Sequence, residues 1–475
     1  MKKSKEYRER IYSLKKNIYL DGELIGRDDP RLQPEINVIA ATYDAMGDPS
    51  LESLINANSH LTGEEINRFC HINQNTEELL AKQKLIRLLC HRTGGCIGRC
   101  MGTDALHALS VVTYEIDEEN GTEYHKRFLD YLRYFQQEDL CGCCAQTDVK
   151  GDRRKRPHQQ EDPDLYLRVV ERRKDGIIVR GAKAHNSVAP YADEIIAVPT
   201  RALTPEEGDW AVAFAIPADW EGVYLSTSAH SYRPRKKLHA PIAEMGSAHS
   251  ITIFDDTFIP WERVFMCGEA KYGGRLALLF ALFHRHSYTG CKPAITDIMC
   301  GAAALVAEYN GIEGVQHVRH NLVEYACTAE LVYAAGIASA YAGERSGSGT
   351  LIPNVVYCNA GRRHAGLNIY REFEMLVELA GGLPATLPME GDFYHEKIGP
   401  LLHKYMMRNP RISAEKQHRC FRFLSDFVCS SMAGSRQISG VHGGGSPIME
   451  EIAIYFNYDW EEKKKIAKRL AGIED

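Results

Sequence analysis

The feature that most constrains the fold of this 475-residue chain is a double change in hydrophobic periodicity. Up to about residue 140, apolar side chains recur at helical intervals, most clearly in segment 76–89. Short apolar–polar alternations typical of strands follow, and the helical spacing then returns in long segments. The order predicts an α+β protein with an N-terminal helical domain (1–140), a central antiparallel, barrel-like β-domain (141–270) and a C-terminal helical bundle (271–475).

The same pattern places individual elements. The predicted strands are 165–171, 176–182, 193–198, 210–216, 222–227 and 250–260. Lys174-Asp175-Gly176 predicts a hairpin turn between the first two of them. The predicted C-terminal helices are 276–283, 294–310, 312–342, 356–379 and 413–433. Segment 96–112 is expected to continue the N-terminal helical pattern.

Composition excludes several classes of protein. The chain is 44% hydrophobic and 25% charged, as globular proteins are, and its net charge of -6 gives no basic surplus for nucleic acid or anionic membranes. The charged start has no apolar signal-peptide core, and the longest strongly apolar stretch, 276–283, is too short to span a bilayer. We therefore expect a soluble, cytoplasmic protein without a nucleic-acid or membrane partner.

Two pairs of soft-ligand residues stand almost 190 positions apart: Cys96 with Cys100, and His284 with Cys291. Positions i, i+4 and i+7 share one face of a helix, so two packed helices would bring three thiolates and one imidazole together. That donor set is sufficient to hold an iron–sulfur cluster. The alternatives are cysteines that serve as small buried hydrophobic residues and a histidine satisfied within its helix.

The other cysteines point to no second site. The chain has 14 cysteines and no export signal, which argues against a disulfide framework. Cys141, Cys143 and Cys144 have a spacing that does not suit one ion, and we interpret them as structural. The remaining scattered cysteines, Cys90 among them, are expected to be buried free thiols.

A glycine run lies near the C-terminal end of the helical region, in His442-Gly443-Gly444-Gly445-Ser446-Pro447. Glycines allow a close backbone approach, and their amides can hold a pyrophosphate. A loop without a ligand is the alternative. The sequence has neither a P-loop nor a dinucleotide-binding glycine motif that opens a βαβ unit.

Three stretches, 147–153, 175–183 and 254–264, resemble the 4-hydroxyphenylacetate 3-monooxygenase superfamily, which shares the α–β–α order of acyl-CoA dehydrogenases. Within it, the spacings C-x3-C and H-x6-C resemble those of the 4-hydroxybutyryl-CoA dehydratase/vinylacetyl-CoA Δ-isomerase family. That resemblance implies FAD, one [4Fe-4S] cluster on Cys96, Cys100, His284 and Cys291, a CoA-thioester substrate and a homotetramer. The implied reaction is a dehydration and isomerisation by a radical route.

The resemblance also implies roles for further residues. His284, Tyr288 and Lys292 share one helical stripe. His284 would act as ligand and base, Tyr288 as proton carrier, and Lys292 would stabilise negative charge on the reduced flavin. A core aromatic and a solvated surface charge are the alternatives for the last two. The implied FAD-binding residues are Gln146, Thr147, Asp148, Lys150, Asp152, Arg153, Ser187, His442, Gly443, Gly444 and Gly445.

The chain departs from this family at three places. Ser439 and Gly98 stand where the family has a glutamate and a glutamine, and His249 or Ser250 falls near a second expected glutamate. A missing carboxylate removes a candidate proton carrier, which predicts slow dehydration of 4-hydroxybutyryl-CoA and a related hydroxyacyl substrate. A two-component flavin monooxygenase of the 4-hydroxyphenylacetate 3-hydroxylase type is the alternative function.

Overall fold

The computed structural model describes residues 3–473. The helices are α1 Ser4–Ser13, α2 Gln33–Asp44, α3 Glu52–Ile55, α4 Thr76–Thr93, α5 Cys100–Asn120, α6 Tyr124–Gln137, α7 Ala270–Asn310, α8 Gln316–Tyr341, α9 Val355–Ala380, α10 Leu383–Thr386, α11 Glu390–Phe393, α12 Gly399–Tyr405, α13 Ala414–Val428, α14 Ser431–His442, α15 Pro447–Asn457 and α16 Trp460–Ala471. The predicted return to long helices after the strands is confirmed.

The strands are β1 Ile18–Leu20, β2 Glu23–Ile25, β3 Asn56–Asn58, β4 Glu65–Asn67, β5 Gly142–Ala145, β6 Arg168–Arg172, β7 Gly176–Asn186, β8 Glu194–Ala197, β9 Val212–Pro217, β10 Val223–Ala229, β11 Ala248–Pro260, β12 Val264–Cys267, β13 Glu344–Arg345 and β14 Leu351–Ile352. A six-stranded sheet has the order β2-β1-β10-β11-β7-β6, and a four-stranded sheet has the order β12-β9-β8-β5. The mixed helix-and-sheet class is therefore confirmed.

Two details of the predicted β-domain are wrong. Both sheets are open in the part of the chain described, so they form no closed barrel. They are also not purely antiparallel, because β1 pairs in parallel with β10 and β5 in parallel with β8. The N-terminal region is likewise not only helical: β1 and β2 extend the six-stranded sheet, with Ile18 and Ile25 paired and buried. These strands are too short for periodicity to reveal them.

The hairpin at Lys174-Asp175-Gly176 is confirmed, since β6 and β7 pair antiparallel and the Arg173 amide donates to the Gly176 carbonyl at 2.8 Å. Strand β7 then continues to Asn186, pairs with β11, and brings its end towards the helical bundle. The centre of the six-stranded sheet is thus a rigid support for residues at the ends of β7 and β11.

Helix α7 is one 41-residue helix, which joins the two segments predicted as 276–283 and 294–310. Pro293 lies inside it and cannot donate to the carbonyl of Thr289. The Gln83 side-chain amide of α4 donates to that carbonyl at 3.3 Å instead. By length and composition α7 could also cross a membrane, yet 61% of its most apolar window is buried in the protein, as in the core helix of a globular fold.

Close approach of α4, α7 and α8 depends on two glycines. A Cβ on Gly290 would lie 2.6 Å from the carbonyl oxygen of Gln83, and one on Gly336 would lie 2.1 Å from the Thr289 hydroxyl. Only glycine permits these contacts. The crossing places the His284–Cys291 part of α7 beside α4 and the start of α5.

Candidate active site

The predicted donors Cys100 and His284 meet at the start of α5 and the middle of α7. One donor atom each from Cys100, Asp104 and His284 lie within 4.8 Å of one another. Asp104 lies four residues after Cys100, so both point from the same face of α5. Cys100 and His284 therefore lie close together, and their role as cluster ligands stays a prediction.

Asp104 holds the imidazole of His284 in place. Its Oδ2 lies 3.0 Å from His284 Nδ1, while its Oδ1 accepts from Lys82 Nζ and Ser287 Oγ, both at 2.9 Å. With Nδ1–H donated to a carboxylate, Nε2 of His284 presents its lone pair, as in metal-binding carboxylate–histidine pairs.

The Lys82–Asp104 ion pair is fully buried. Burial by itself would raise the pKa of Asp104, but the Lys82 ammonium and the His284 ring together hold it below its usual range. Asp104 therefore stays a carboxylate and accepts the hydrogen bond from His284 Nδ1.

Cys96 is not on a helix, contrary to the expectation for segment 96–112. Helix α4 ends at Thr93, and α5 begins only at Cys100. Between these two helices the chain changes direction at three glycines with positive φ, Gly94, Gly95 and Gly98. The resulting turn directs the Gly98 amide at Cys96 Sγ, 3.3 Å away. Cys96 is exposed as a residue, while burial of its sulfur raises the pKa of the thiol.

Cys291 is the third of the predicted cysteine ligands. It is half-buried, and its pKa is raised first by burial and then by the nearby sulfur of Cys96. The pKa of Cys100 is raised by burial, then by Asp104, Cys96 and Cys291. Cys291 also packs against the apolar cluster that contains Cys100, and it shares α7 with His284.

Arg99 anchors the cysteine turn from within the C-x3-C segment. Its guanidinium is buried, pairs with Asp139 and stacks on the Tyr43 ring at 4.0 Å. Because the buried guanidinium contacts both a carboxylate and an aromatic ring, it fixes the turn between Cys96 and Cys100.

A fourth thiol lies against this turn. Cys90, in the last turn of α4, is fully buried, and its carbonyl accepts from the Gly95 amide at 3.0 Å. Burial raises the pKa of its thiol well above the usual range, and the sulfurs of Cys291, Cys96 and Cys100 add to this effect. The Ile97 backbone acts in the opposite direction and lowers the pKa of Cys90.

Tyr288 is buried and held as a neutral phenol. Its hydroxyl donates to the Gly440 carbonyl at 3.1 Å, and the Arg362 guanidinium lies 4.2 Å from the ring centre. Burial raises its pKa, which Arg362 only partly offsets. The phenol thus keeps its proton one turn after His284, and its role as a proton carrier stays a prediction.

Lys292 is fully buried and forms an ion pair with Glu372 of α9, so it is not the solvated surface charge considered as an alternative. Its ammonium also donates to Thr296 Oγ1 at 2.7 Å. Burial lowers the pKa of Lys292, and the Glu372 carboxylate opposes that shift. Its role beside a flavin stays a prediction.

The glycine loop lies beside the same part of α7. Arg285 Nε donates to the Gly444 carbonyl and Arg362 Nε to the Gly443 carbonyl, both at 2.9 Å. A Cβ on Gly444 would lie 3.6 Å from His284 Cδ2. Residues 443–444 thus lie close to His284, and a contact of the loop 442–445 with FAD stays a prediction.

The predicted flavin residues of the β-domain run along the end of β7. The Ala184 amide donates to the Thr147 carbonyl at 2.6 Å, and Asp148 forms a buried ion pair with Lys183 at 2.9 Å. Burial raises the pKa of Asp148 against the effect of Lys183. Asp148 therefore has a structural partner already, while Thr147 remains half-buried.

The other predicted flavin residues differ in surroundings. Gln146 donates its side-chain amide to the Ala277 carbonyl of α7 at 2.9 Å, which ties this segment to the bundle. Lys150 and Arg153 are exposed, and Asp152 pairs with Arg154 at 2.8 Å. These last three lie in a surface turn, and a contact with FAD stays a prediction for them.

Ser187 joins the sheet to the bundle through His249. The His249 ring lies 2.9 Å from Ser187 Oγ through Nδ1 and 3.2 Å from Ser435 Oγ of α14 through Nε2. Ser250 instead bonds Thr227 inside the sheet at 2.8 Å. Of the two residues near the expected glutamate position, His249 is the one that faces the bundle.

Sequence reasoning missed the residues that support the donors: Asp104, Lys82, Ser287, Arg362 and Glu372. A signal existed for two of them. Lys82 is a charged residue on the apolar face of the amphipathic segment 76–89, and Asp104 follows Cys100 at helical spacing. The others became visible only when distant helices were packed together.

Comparison with known proteins agrees with this architecture. Residues 3–266 match the family model for the 4-hydroxyphenylacetate 3-hydroxylase N terminal, and residues 274–472 match that for the C terminal. The chain is 37% identical to a 4-hydroxybutyryl-CoA dehydratase/vinylacetyl-CoA-Δ-isomerase of Clostridium aminobutyricum, over 99% of both chains. It is 26% identical to the oxygenase component of 4-hydroxyphenylacetate 3-monooxygenase from Geobacillus, over 99% of this chain and 96% of that one.

Solved structures give the same result. An oxygen-tolerant archaeal 4-hydroxybutyryl-CoA dehydratase from N. maritimus superimposes with a TM-score of 0.96 at 37% identity, covering 100% of this chain and 95% of that one. The oxygenase component of 4-hydroxyphenylacetate 3-monooxygenase complexed with FAD reaches 0.89 at 23% identity, covering 99% and 98%, and shares the fold. This chain therefore belongs to the 4-hydroxybutyryl-CoA dehydratase/vinylacetyl-CoA Δ-isomerase family, within the wider 4-hydroxyphenylacetate 3-hydroxylase family.

Proposed function

We propose that this protein is a hydro-lyase and isomerase that depends on FAD and a [4Fe-4S] cluster and acts on a hydroxyacyl-CoA resembling 4-hydroxybutyryl-CoA. One observation carries the proposal: Cys100, Asp104 and His284 converge beside Cys96 and Cys291. Full-length similarity to relatives that bear the dehydratase name supports it.

The donor set fits the cluster. Cys100 and Cys291 lie among apolar side chains, and the Asp104 carboxylate leaves His284 Nε2 available. An N–H···S hydrogen bond reaches Cys96 from Gly98, and such bonds are among the factors that tune a cluster. Cys96, Cys100, Cys291 and His284 would hold the iron.

The side chain of Asn186 supports a flavin-binding site next to Ser187. Asn186 is buried, and its side-chain oxygen has no hydrogen-bond partner among residues 3–473. The imide N–H of a flavin is a donor that would satisfy it. Half-buried Thr147 and Ser187 lie along the same end of β7. We propose these residues, with Gln146 and the loop 442–445, as the FAD-binding set.

The two cofactors, when bound, supply one-electron and Lewis-acid chemistry for removing a hydroxyl far from an acidified C–H. The chain's own residues would move the protons. Because Nδ1 of His284 already faces Asp104, only its Nε2 would accept the substrate proton, in a state in which that nitrogen is not a ligand. The buried Tyr288 phenol would give a proton to the departing hydroxyl. The Lys292–Glu372 pair would place a fixed cation beside them.

The alternative, a flavin monooxygenase, rests on relatives with lower similarity, 26% over the whole chain. It requires oxygen and a reductase and no cluster. The converged thiols and imidazole have no role in that chemistry, which favours the dehydratase. A visible spectrum of anaerobically purified protein separates the two.

We also infer the division into 1–140, 141–270 and 271–475, an acyl-CoA dehydrogenase-like arrangement and a cytoplasmic homotetramer. Helices α8 and α9 support the assembly, because their exposed apolar residues exceed what one subunit can cover. They are Val323, Leu331, Tyr341, Leu367, Tyr370 and Val377.

The test is anaerobic purification followed by analysis of iron, sulfide and flavin, and then an assay of crotonyl-CoA formation from 4-hydroxybutyryl-CoA. We expect to find a cluster and FAD. We expect turnover to be slow, because Ser439 stands where the family has a glutamate. Ser439→Glu should raise the rate, and Ser439→Gln is the matched control without charge. Flavin-containing protein without iron, active only with oxygen, contradicts the proposal. Fast wild-type turnover would show that the carboxylate is dispensable.

A further inference from the structure

His249 is a histidine whose two ring nitrogens each face a hydroxyl group. Its Nδ1 lies 2.9 Å from Ser187 Oγ at the end of β7, and its Nε2 lies 3.2 Å from Ser435 Oγ of α14. The Ser435 hydroxyl in turn lies 3.4 Å from Ser247 Oγ. The imidazole therefore links the end of the six-stranded sheet to the helix that leads into the glycine loop.

The surroundings of His249 keep its ring neutral. Burial lowers the pKa of the imidazole, and the rings of His185 and His230 lower it further. A neutral imidazole has one N–H donor and one lone pair. In the tautomer that histidine favours in water, Nε2–H donates to Ser435, and Nδ1 accepts the hydrogen of the Ser187 hydroxyl. Ser187 Oγ then offers only lone pairs to any further partner.

An acceptor at Ser187 distinguishes the two oxidation states of a flavin. The oxidised isoalloxazine ring has a lone pair at N5, whereas the reduced ring has an N–H group there. Reduction of the ring adds two electrons and, at N5, one proton. A hydroxyl oxygen without a free hydrogen repels the first form and accepts a hydrogen bond from the second.

We propose that His249 is a positioning residue that keeps the Ser187 hydrogen away from the flavin, so that Ser187 Oγ accepts from N5–H and the site holds reduced flavin more tightly than oxidised flavin. This inference rests on the flavin site proposed above, which the unpartnered side-chain oxygen of the neighbouring Asn186 supports. His249 acts through Ser187 and itself gives no proton to the ring.

The test compares the flavin reduction potential of wild type, His249→Phe, His249→Gln and Ser435→Ala, each purified anaerobically with flavin bound. His249→Phe keeps the bulk of the ring but frees the hydrogen of Ser187. Its reduced-to-oxidised ratio should be about tenfold lower at a fixed potential, which is about 30 mV for two electrons. His249→Gln keeps one acceptor and one donor and should lie close to wild type. A dithionite titration with redox dyes, followed by the flavin absorption, gives the ratio.

Ser250→Ala is the matched control. Ser250 follows His249 on the same strand, but its hydroxyl bonds Thr227 inside the sheet at 2.8 Å. The variant should keep the wild-type flavin potential, because it removes a hydroxyl from the same strand without touching Ser187. An equal shift in Ser250→Ala would mean that any change in this strand moves the potential, and the inference would be wrong.

The remaining results are equally decisive. An unchanged or higher ratio in His249→Phe contradicts the inference, because Ser187 would then not accept from the reduced ring. If His249→Phe does not fold, Ser435→Ala decides: it removes the acceptor of Nε2–H and should shift the ratio in the same direction. Wild type that binds no flavin defeats the proposed function itself, which distinguishes that failure from an unchanged potential.

Discussion

The Asp104 carboxylate offers the sharpest test of the site. In Asp104→Asn the volume is kept, but Lys82 loses its buried counter-charge, and His284 Nδ1 loses a charged acceptor at 3.0 Å. Removing one partner of a buried ion pair costs about 3–5 kcal/mol. Removing the partner of a metal-binding histidine costs about 10–100-fold in metal affinity. The variant should therefore show both a lower free energy of unfolding and a weaker hold on iron.

A second substitution separates these two effects. In Lys82→Met/Asp104→Asn the stranded ammonium is gone, and a buried pair replaced by neutral side chains is often close to neutral in stability. The double variant should regain stability in urea unfolding, yet still lose iron to a chelator about 10–100-fold faster than wild type. Ser287, the other donor to Asp104, is retained in both variants, so an iron loss that they share is due to the change at Asp104.

The refuting result is equally specific. If the double variant recovers both stability and iron retention, the loss in Asp104→Asn came from the stranded Lys82 charge, and Asp104 does not position His284. If Asp104→Asn holds iron as wild type does, the carboxylate–histidine contact has no bearing on the metal.

Three further predictions follow from other contacts. Cys100→Ala should lose the cluster and the activity together, whereas His284→Cys should keep the cluster without turnover; about four irons in Cys100→Ala would contradict the ligand assignment. Burial raises the pKa of Glu35 from 4.5 to about 7, so its contribution to stability is present below pH 4.5 and is lost as pH rises to 7. Glu35→Gln should flatten that slope in urea unfolding and stabilise the protein above pH 7 by up to about 3 kcal/mol, and an unchanged slope would contradict it. Light scattering should give a tetramer that Leu331→Glu with Leu367→Glu dissociates, with exposed Leu470→Glu as the control; a flavin-bound monomer of wild type would contradict this.

Much of the site was predictable because it depends on spacing within single elements. His284, Tyr288, Cys291 and Lys292 lie on one helix, and the helical repeat puts them on one stripe whatever surrounds them. The glycine run connects two helices as a loop for equally local reasons, since Gly444 and Gly445 have positive φ. The position of the hairpin before Gly176 was also local.

What failed was the part that depends on partners from far along the chain. The open sheets contain parallel pairs that involve β1 and β5, and they join residues as far apart in the chain as Ile18 and Leu225. Alternation within one strand does not reveal which strand lies next to it or in which direction. The turn at Cys96 was mistaken for helix because cysteines and apolar residues continue the periodicity while three glycines interrupt it.

The sequence by itself determined the order of helices and strands, the stripe on α7, and the soft-ligand residues, because backbone periodicity and residue chemistry are local. Only the tertiary structure decided that Asp104 and Lys82 form a buried pair beside His284, and that Lys292 meets Glu372. These contacts depend on which helices cross and how closely. That crossing is set by glycines and by packing over the whole molecule, as where Gln83 of α4 reaches the Thr289 carbonyl left free by Pro293.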